Sequence, residues 1–297
     1  MKQILITGAS TGIGYSLANT LLEQGHIVYG GVRNVKSLER LKENFPDRLI
    51  VLKLDVTSED DIRAAFAAVE KGLGASAHES SPEDKHLRDA SEFVLVNNAG
   101  IAVAGPIEGL ELKEWRELFE VNFFGAVRLT QIFLPLLRTT HGRVINVGSI
   151  SGLISSPFLA SYCSSKFALR SFSDSLRREL MPHNVRVVLI EPGPVRTEIW
   201  SKSIQHSEES SKRMSPEMKQ VYGKQIEGLR SSVKESVRDA IPVEVVSQAM
   251  AHAVLSSSPK LYYLLGRRIR LHAAIGKFLP ARLLDKMMMS GLGVERN

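Results

Sequence analysis

The stretch Ile4-Leu5-Ile6-Thr7-Gly8-Ala9-Ser10-Thr11-Gly12-Ile13-Gly14 decides the fold of this chain. Its first four residues form a short apolar run, which predicts a buried strand. After the glycines, apolar residues recur at the spacing of a helix, at Leu17, Ala18, Leu21 and Leu22. A strand, a glycine-rich turn and a helix in this order are typical of an α/β unit that binds a dinucleotide.

The glycines of this turn suit the binding of a pyrophosphate. Gly8 permits a tight turn, Gly12 lets the backbone approach the phosphates, and Gly14 lets the helix pack close to the strand. Free N–H groups at the start of the helix attract an anion. The spacing G-x-x-x-G-x-G differs from the G-x-G-x-x-G fingerprint, so a glycine turn without a ligand is the alternative. The candidates for cofactor binding are Gly8, Ser10, Thr11, Gly12, Ile13 and Gly14.

The end of the second predicted strand indicates which dinucleotide binds. The run from His26 to Val32 predicts this strand, and no Asp or Glu lies between Val28 and Lys36. An acid there would bond the ribose 2′-hydroxyl of NAD, whereas an arginine accommodates a 2′-phosphate. Because Arg33 occupies this place, the sequence favours NADP(H) over NAD(H). A solvated arginine at the start of a helix is the alternative.

The composition is that of a soluble protein with one large core. The chain has 297 residues, 43% of them hydrophobic, and α/β folds of this length often form a single domain. The net charge of +6 is scattered rather than clustered, which argues against a nucleic-acid partner. The single cysteine, Cys163, excludes an internal disulfide and fits a reducing compartment. The chain enters a strand at once and has no apolar run long enough to span a bilayer, so we expect a cytoplasmic protein without a signal peptide.

Five further apolar runs predict strands. They are residues 49–54, 92–96, 143–147, 185–190 and 260–264. Small or polar residues follow two of these runs, at the place where open α/β sheets bind ligands. The candidates there are Asp55 and Val56 after the third strand and Asn98, Ala99 and Gly100 after the fourth. A capping aspartate and a plain asparagine turn are the alternatives.

Three segments depart from this alternation of strands and helices. Residues 72–90 are polar and lack periodicity, which indicates an inserted surface loop. Residues 198–240, rich in Ser, Glu and Lys in their first part, are predicted to act as a lid over the substrate pocket, with a plain solvated loop as the alternative. Residues 266–297 combine basic and apolar residues around Pro280 and predict an amphipathic helical extension. The interpretations of this extension are packing on the domain or a partner subunit, a wall of the substrate pocket, or peripheral membrane contact through residues 267–289.

A candidate proton-transfer site lies between the fifth and sixth predicted strands. Ser149 follows an apolar strand, and Tyr162 and Lys166 are four residues apart on one face of the next helix. An ammonium beside a phenol favours the phenolate, so Tyr162 is expected to exchange a proton near neutral pH. Ser149 is placed to hydrogen-bond the same substrate oxygen. Because Y-x-x-x-K also occurs by chance on amphipathic helices, this interpretation depends on its context.

Asn122 is a polar residue in an apolar helical pattern. It lies within residues 115–137, flanked by Val121, Phe123 and Phe124, and an amide in such surroundings needs hydrogen-bond partners. Asn122 is predicted either to satisfy a local backbone group, with a kink in the helix, or to hold a water for a proton relay.

These motifs together resemble the short-chain dehydrogenase/reductase family over residues 2 to about 200. The matching segments, in order, are T-G-A-S-T-G-I-G at 7–14, D-V at 55–56, N-N-A-G at 97–100, Asn122, Ser149, Y-C-S-S-K at 162–166 and P-G-P-V-R-T at 192–197. The spacings of 27 residues from Asn122 to Ser149 and 13 from Ser149 to Tyr162 also agree with the family pattern.

The resemblance implies a fold and a set of roles. The fold is a single doubly wound Rossmann domain over residues 1–265, an α/β seven-stranded parallel sheet with helices on both faces. Tyr162 would be the proton donor or acceptor, and Lys166 its electrostatic partner and a ligand of the nicotinamide ribose. Ser149 would orient the substrate oxygen, and Asn122 would hold a relay water. The turn after the sixth strand adds the cofactor contacts Pro192, Gly193, Val195 and Thr197.

The sequence thus predicts an NADP(H)-dependent oxidoreductase that interconverts an alcohol and a ketone or aldehyde. The segment Gly31-Val32-Arg33 and the length beyond the seventh strand are similar to members acting on steroids, retinoids or other apolar substrates. The family also suggests a homodimer or homotetramer, and no residues are assigned to a metal. Two alternatives stay open: a catalytically silent NADP(H)-binding sensor or scaffold, and an NAD-preferring dehydrogenase of a small polar alcohol. A serine hydrolase is disfavoured, because Ser151 lacks the G-x-S-x-G motif.

Overall fold

The computed structural model describes residues 1–78, 92–197, 214–238, 240–266 and 269–290. The strands are β1 (Gln3–Thr7), β2 (Ile27–Val32), β3 (Leu49–Lys53), β4 (Phe93–Asn97), β5 (Arg143–Val147), β6 (Arg186–Pro192) and β7 (Tyr262–Leu265). The α-helices of the described residues are α1 (Gly12–Glu23), α2 (Glu39–Asn44), α3 (Glu59–His78), α4 (Leu112–Phe119), α5 (Gly125–Thr139), α6 (Ala160–Leu180), α7 (Pro216–Arg238), α8 (Val243–Leu255), α9 (Ile269–Phe278) and α10 (Ala281–Ser290).

All seven strands join one parallel sheet. Their order is β3-β2-β1-β4-β5-β6-β7, and each pair of neighbours runs parallel. The chain builds outward from β1 to one side and then returns to build the other side, which confirms the predicted doubly wound α/β fold. Every predicted strand is present, with ends that differ from the prediction by at most two residues. The reversal of strand order beside β1 leaves a crevice at the carboxyl ends of the strands.

The strands direct alternate side chains into two apolar layers. In β1, Ile4 and Ile6 join a buried cluster with residues of α1 and α8, whereas Leu5 joins the cluster formed with α3, α5 and α6. Because both faces of the sheet are covered by helices, the strands appear in the sequence as continuous apolar runs. Burying one such Leu or Ile side chain contributes about 1.5–3 kcal/mol.

A buried arginine ties together the amino-terminal edge of the sheet. Arg143, the first residue of β5, is fully buried. Its Nε donates to Glu92 Oε1 at 2.6 Å, and Glu92 also pairs with Lys2. Its Nη1 donates to the carbonyl oxygens of Ala253 and Ser256 at the end of α8. One guanidinium therefore links β5, the segment before β4 and the last turn of α8.

The predicted insertion is helical in its first part. Residues 72–78 continue α3 instead of forming a loop, and residues 79–90 lie outside the described residues. Gly72 suggested a break in the helix, but its role is packing: a Cβ there would stand 1.9 Å from the Tyr29 hydroxyl oxygen. The close approach of α3 to β2 therefore requires a glycine at this helical position.

The predicted lid is described only from residue 214 onward. Residues 198–213 lie outside the described residues, and Pro216–Arg238 form the 23-residue helix α7. Ser215 begins this helix, and its hydroxyl accepts from the N–H of Met218 at 3.2 Å. The described part of the lid is thus a long helix with a capped start.

The carboxyl-terminal extension is helical, as predicted. It consists of α9 and α10, which are separated around Pro280, whereas residues 267–268 and 291–297 lie outside the described residues. Ile269 at the start of α9 is buried, and a Cβ on Gly276 would stand 2.3 Å from Ile154 Cγ1. The helix α9 therefore packs on the loop before α6. Among the described helices, none combines the length and apolar character that crossing a membrane requires.

Candidate active site

A cleft of ≈ 830 Å³ opens at the carboxyl ends of the strands. The predicted site residues that line it are Gly8, Ser10, Thr11, Gly12, Ile13, Arg33, Asp55, Val56, Asn98, Ala99, Gly100, Ser149, Tyr162, Lys166, Pro192, Gly193, Val195 and Thr197. Gly14 and Asn122 are buried and do not line it. Segments far apart in the sequence therefore meet around one cavity, because parallel strands end at the same edge of the sheet.

The glycine turn needs its glycines for geometric reasons. Gly8 and Gly12 have φ values of +65° and +55°, a left-handed conformation in which a side chain is strained. A Cβ on Gly14 would stand 2.4 Å from the Gly8 carbonyl oxygen, and a Cβ on Gly12 would stand 3.1 Å from Thr197 Cγ2. The close approach of α1 to the turn therefore requires glycine at position 14, and the left-handed backbone favours glycine at positions 8 and 12.

Thr7 is absent from the predicted site residues, yet it organises the floor of the cleft. Its hydroxyl oxygen accepts from the N–H groups of Asn98 and Ala99, both at 2.9 Å. The side-chain amide of Asn98 donates to the carbonyl oxygens of Thr7 at 2.8 Å and Gly8 at 3.2 Å. Asn98 thus fixes the glycine turn to the end of β4. The available signal was a hydroxyl at the last position of an apolar strand.

Arg33 and Asp55 stand at the ends of β2 and β3. Arg33 is exposed and lines the cleft. Asp55 accepts from the N–H of Thr57 at 2.9 Å and from its hydroxyl at 2.7 Å. Burial acts to raise the pKa of Asp55, but the Thr57 hydrogen bonds and the charge of Arg33 outweigh it, so the pKa is lowered. Asp55 therefore caps its turn as a carboxylate, one of the two roles that the sequence left open.

Ser149, Tyr162 and Lys166 converge on one wall of the cleft. The Ser149 hydroxyl hydrogen-bonds to the phenol of Tyr162. The Lys166 Nζ lies 5.7 Å from the centre of the Tyr162 ring and donates to the carbonyl oxygen of Val147 at 2.9 Å. None of the three residues is more than 7% exposed. Two hydroxyls and an ammonium are thus held together away from bulk water.

Local packing brings these three side chains together. Ser149 caps a short 3₁₀ turn, Ile150–Gly152, by accepting from the N–H of Ser151 at 3.1 Å. A Cβ on Gly152 would stand 2.8 Å from the Lys166 carbonyl oxygen, so glycine lets α6 approach this turn. The helical spacing then places Tyr162 and Lys166 on the face that Ser149 reaches.

The pKa of Tyr162 is shifted in the direction opposite to the expectation. Burial raises it to about 12, although the hydrogen bond from Ser149 acts to lower it. Burial lowers the pKa of Lys166 to about 8. The expectation of a favoured phenolate is wrong because the ammonium points at the Val147 carbonyl while the phenol loses its hydration. Tyr162 therefore holds its proton at neutral pH.

Asn122 lies in a π-helical segment, Glu120–Phe124, between α4 and α5. Its side-chain oxygen accepts from the N–H of Ile101 at 2.8 Å, and its amide donates to the Ile101 carbonyl oxygen at 2.9 Å. The amide also donates to the Ser165 hydroxyl at 3.2 Å. Asn122 therefore satisfies a backbone group within an irregular helix, as in the first alternative, but that group belongs to Ile101, 21 residues away, and is not local. Segments of π-helix often occur at functional sites.

A buried polar network beneath the cleft was not predicted. Asn97 Nδ2 donates to Asn146 Oδ1 at 2.9 Å, and Asn146 Nδ2 donates to the Ser173 hydroxyl at 2.8 Å. Asn97 Nδ2 also faces the Thr130 hydroxyl at 3.4 Å. The network joins β4, β5, α5 and α6 and so fixes the strands whose ends carry Asn98 and Ser149.

The rim of the cleft carries both apolar and charged side chains that the sequence did not single out. Ala102 and Val103 line it, and Val103, Leu110 and Leu118 pack with Tyr162 in one buried cluster. The charged lining residues come from the segment around α4 and are Lys113, Glu114, Arg116, Glu117 and Glu120.

Among the described residues, the cleft lacks a histidine base and a cluster of metal ligands. Within the described parts of the chain, no histidine lines the cleft, so a serine would have no imidazole base there. The same residues contain no cluster of three or more His, Cys, Asp or Glu side chains suited to a metal ion.

Comparisons with known proteins agree with this architecture. The family model described as short chain dehydrogenase matches residues 2–76 and 93–208. The NADPH-dependent 3-dehydrocapnine reductase of Ornithobacterium rhinotracheale is 34% identical, and the match covers 98% of both chains. Retinol dehydrogenase 16 of Homo sapiens is 33% identical over 97% of this chain and 87% of its own. A solved short-chain dehydrogenase from Streptomyces avermitilis has a TM-score of 0.75 at 25% identity, covering 99% of this chain and 98% of its own.

The family match includes the glycine turn, the strand ends and the helix that carries Tyr162 and Lys166. It therefore covers the residues that converge on the cleft, and the similarity to whole relatives extends over nearly the full chain. This chain belongs to the short-chain dehydrogenase family and is an oxidoreductase.

Proposed function

We propose that this oxidoreductase uses NADPH to reduce the carbonyl group of an apolar ketone or aldehyde. One observation carries the proposal: Ser149, Tyr162 and Lys166 line the same cleft as the glycine turn and Arg33. Reduction of a carbonyl needs a hydride carrier and a proton donor held beside one substrate atom. A single cleft that combines a dinucleotide cradle with a buried phenol suits this requirement.

Tyr162 is the proposed proton donor. Because burial raises its pKa to about 12, the phenol is protonated at neutral pH. Bound NADPH supplies a hydride to the carbonyl carbon. The carbonyl oxygen takes the phenolic proton as its π bond opens, which gives the alcohol and a tyrosinate. Ser149, which already hydrogen-bonds the phenol, orients the substrate oxygen.

Lys166 and Asn122 are proposed to return a proton to Tyr162 after each turnover and to position the groups around it. The ammonium of Lys166 stabilises the tyrosinate formed in the reaction, and its amine also binds the nicotinamide ribose. Asn122 is proposed to hold a water that relays a proton toward Lys166. A Cβ on Gly100, which lines the cleft, would stand 3.4 Å from Asn122 Oδ1 and 3.8 Å from Lys166 Nζ, so the two groups border the same small space.

The cofactor is NADP(H), and the cleft fits it. The positive φ values of Gly8 and Gly12 leave a cradle free of side chains, and the start of α1 offers N–H groups to a pyrophosphate. The exposed guanidinium of Arg33 suits a 2′-phosphate. The NADPH dependence of the reductase relative supports the same choice. The other residues assigned to this part of the cleft are Ser10, Thr11, Ile13, Gly14, Asp55, Val56, Asn98, Ala99, Gly100, Pro192, Gly193, Val195 and Thr197.

An apolar substrate suits the surroundings of Tyr162. Ala102 and Val103 line the cleft beside it, and the names of relatives such as retinol dehydrogenase point to the same class, which includes steroids, retinoids and lipid-like molecules. In this assignment, residues 1–265 form the catalytic domain and the lid proposed for residues 198–240 includes α7. The extension 266–297 is proposed to add to the pocket wall through α9, which packs on the loop before α6.

The same proposal includes two features of the whole protein. Exposed apolar residues of α9 and α10 support peripheral membrane contact by an otherwise cytoplasmic enzyme. A homodimer or homotetramer is supported by Phe124 and Phe167, which are 42% and 41% exposed on neighbouring helical segments.

The test is a cofactor-turnover assay with the purified chain. NADPH and NADH oxidation are followed with estrone, all-trans-retinal and a long-chain ketone as probes. Tyr162→Phe should lower kcat by about 10²–10⁴-fold and leave the NADPH dissociation constant nearly unchanged, because only the proton donor is lost. Tyr15→Phe makes the same change outside the cleft and should have no effect. Turnover retained by Tyr162→Phe would refute the assignment.

The catalytically silent alternative predicts a different result. A sensor or scaffold would bind NADPH but oxidise it with none of the three probes. The presence of a protonated phenol, its serine partner and a lysine at the cofactor cleft favours catalysis over that alternative.

A further inference from the structure

Phe158 adopts a backbone conformation that bulky residues rarely take. Its φ of +64° lies in the left-handed region, which a Cβ disfavours. It stands four residues before Tyr162, directly ahead of α6. A strained conformation persists only where the surrounding structure holds it, so the contacts of Phe158 deserve an explanation.

Two contacts hold Phe158 in place. Its carbonyl oxygen accepts from the N–H of Gly105 at 2.8 Å, which joins the loop before α6 to the loop 101–110. Its ring meets the ring of Tyr222 in α7 edge to face, with centroids 6.4 Å apart and planes at 85°. Phe158 therefore connects three segments that are distant in the sequence.

Tyr222 also contacts the loop 101–110 directly. Its hydroxyl donates to Glu108 Oε2 at 2.9 Å, within the short turn Ile107–Gly109. The start of α7 packs on the same turn, since a Cβ on Gly109 would stand 2.9 Å from Met218 Cε and 3.5 Å from Met214 Cε. Ring packing, a hydrogen bond and methionine contacts thus seat α7 on this loop.

The loop that α7 holds also shapes the candidate active site. Its residues Ala102 and Val103 line the cleft, and Val103 and Leu110 belong to the same buried cluster as Tyr162. Phe158 precedes Tyr162 by four residues, so its segment leads directly into the helix that carries the proton donor. If α7 moved away, Tyr222 would lose its contacts with Glu108 and Phe158. The loop 101–110 and the loop before α6, which lie beside the proton donor, would then no longer be held by α7.

We propose that Tyr222 is a positioning residue which, with Glu108 and Phe158, forms a latch that seats α7 on the two loops beside Tyr162 and so selects for large apolar substrates. This inference rests on the proposed function. A large ketone extends from Tyr162 to the wall that the latch holds, whereas a small ketone does not reach it. The latch thus governs substrate size without taking part in proton transfer.

The kinetic test compares large and small ketones with the full chain. Tyr222→Ala should lower kcat/KM for estrone and all-trans-retinal by roughly three- to tenfold, mostly through KM, because a ring contact and a hydrogen bond are lost. The kcat/KM for cyclohexanone and the NADPH dissociation constant should stay unchanged. Tyr222→Phe should have a smaller effect in the same direction, and Glu108→Gln, which keeps an acceptor, should retain most of the selectivity. The matched control is Val221→Ala, a neighbouring position in α7 that is 59% exposed.

Hydrogen exchange separates a failure of the latch from a failure of the proposed function. Tyr222→Ala should accelerate amide exchange at the start of α7 and in residues 105–110, and Val221→Ala should not. Unchanged exchange, or a parallel loss of kcat/KM for large and small ketones, would overturn the latch. Accelerated exchange in a chain that turns over none of the ketones would support the latch and reject the carbonyl-reductase proposal instead.

Discussion

Lys166 is a cation held where water cannot stabilise it. It is 6% exposed, and burial lowers its pKa to about 8, compared with about 10.4 for a lysine in water. The folded protein therefore binds this proton more weakly than the unfolded chain does. Tyr162, its neighbour, shows the opposite pattern of a raised pKa. The cleft thus contains two buried groups whose charged forms are both disfavoured by burial. Each is expected to make the free energy of unfolding depend on pH.

Replacing Lys166 by Met should change how stability depends on pH. Between about pH 8 and pH 10 the unfolded chain binds the lysine proton while the folded chain has released it, so the free energy of unfolding rises with pH. The rise amounts to at most about 1.4 kcal/mol per pH unit. Lys166→Met should lose this rise, whereas Lys71→Met, an exposed position on α3, should keep it. Urea denaturation at several pH values between about 8 and 9, where a tyrosine of the unfolded chain with a pKa of about 10 is still mostly protonated, measures the effect. Equal slopes in all three proteins would contradict it.

Arg33 should decide the choice of cofactor. Arg33→Asp removes the guanidinium and places a carboxylate where a ribose 2′-hydroxyl would bind, so NADPH affinity should fall by roughly tenfold or more while NADH affinity rises. Fluorescence titration of both cofactors measures the change. Arg40→Asp, at an exposed position of α2 away from the cleft, is the matched control. Unchanged NADPH affinity in Arg33→Asp would remove the 2′-phosphate role.

The residues of the site differ in how well the sequence predicts them. Ser149, Tyr162 and Lys166 could be predicted because residue type and spacing identify them. The contact between Thr7 and Asn98 could not be predicted, because the two residues are 91 positions apart and a hydroxyl at the end of a strand does not identify its partner. The pKa of Tyr162 was predicted with the wrong sign, because spacing gives the neighbour of a group but not its burial.

Predictions of secondary structure from composition were wrong or incomplete where contacts with distant residues determine the local structure. Residues 72–78 contain two glycines and appeared to be a loop, yet contact with Tyr29 makes one of those glycines necessary within α3. The π-helical segment around Asn122 likewise depends on partners in two other segments, Ile101 and Ser165. By contrast, the helix predicted to carry Tyr162 and Lys166 is present as α6, Ala160–Leu180.

The helices α9 and α10 leave apolar side chains uncovered. Leu271, Phe278, Leu283 and Met287 are 56%, 76%, 53% and 47% exposed. Residues 267–289 carry six Lys and Arg and a single Asp. A basic segment with an exposed apolar stripe is suited to an anionic lipid surface.

Vesicle sedimentation tests this membrane contact. The chain should sediment with vesicles of phosphatidylcholine and phosphatidylglycerol more than with phosphatidylcholine alone. The double change Leu283→Asp and Met287→Asp should weaken this binding by about tenfold or more, because two apolar contacts are replaced by charges that lipid headgroups repel. The control pair Val221→Asp and Val245→Asp alters exposed apolar positions on other helices. Failure of the unmodified chain to sediment with either vesicle would reject the contact.

At the scale of the whole molecule, the sequence predicted the sheet and the location of the cleft well. The strand runs are apolar because the sheet is buried on both faces, and the glycine turn identifies β1 as the start of a dinucleotide-binding unit. The arrangement of α7 against the loops beside Tyr162 was beyond prediction. Its contacts join residues more than a hundred positions apart, such as Tyr222 and Glu108, and neither element has a motif that names its partner.

Arg143 also determines when the fold can be completed. Its acceptor in Ala253 follows it by 110 residues, so β5 leaves the ribosome long before that carbonyl group is synthesised. Glu92 is already available to accept from Nε, but until then Nη1 lacks its two carbonyl acceptors, and burying it would cost about 1–3 kcal/mol for each missing hydrogen bond. A nascent chain that ends before Ser256 should therefore keep this edge of the sheet open to water, as a substrate for chaperones rather than as a partly active enzyme.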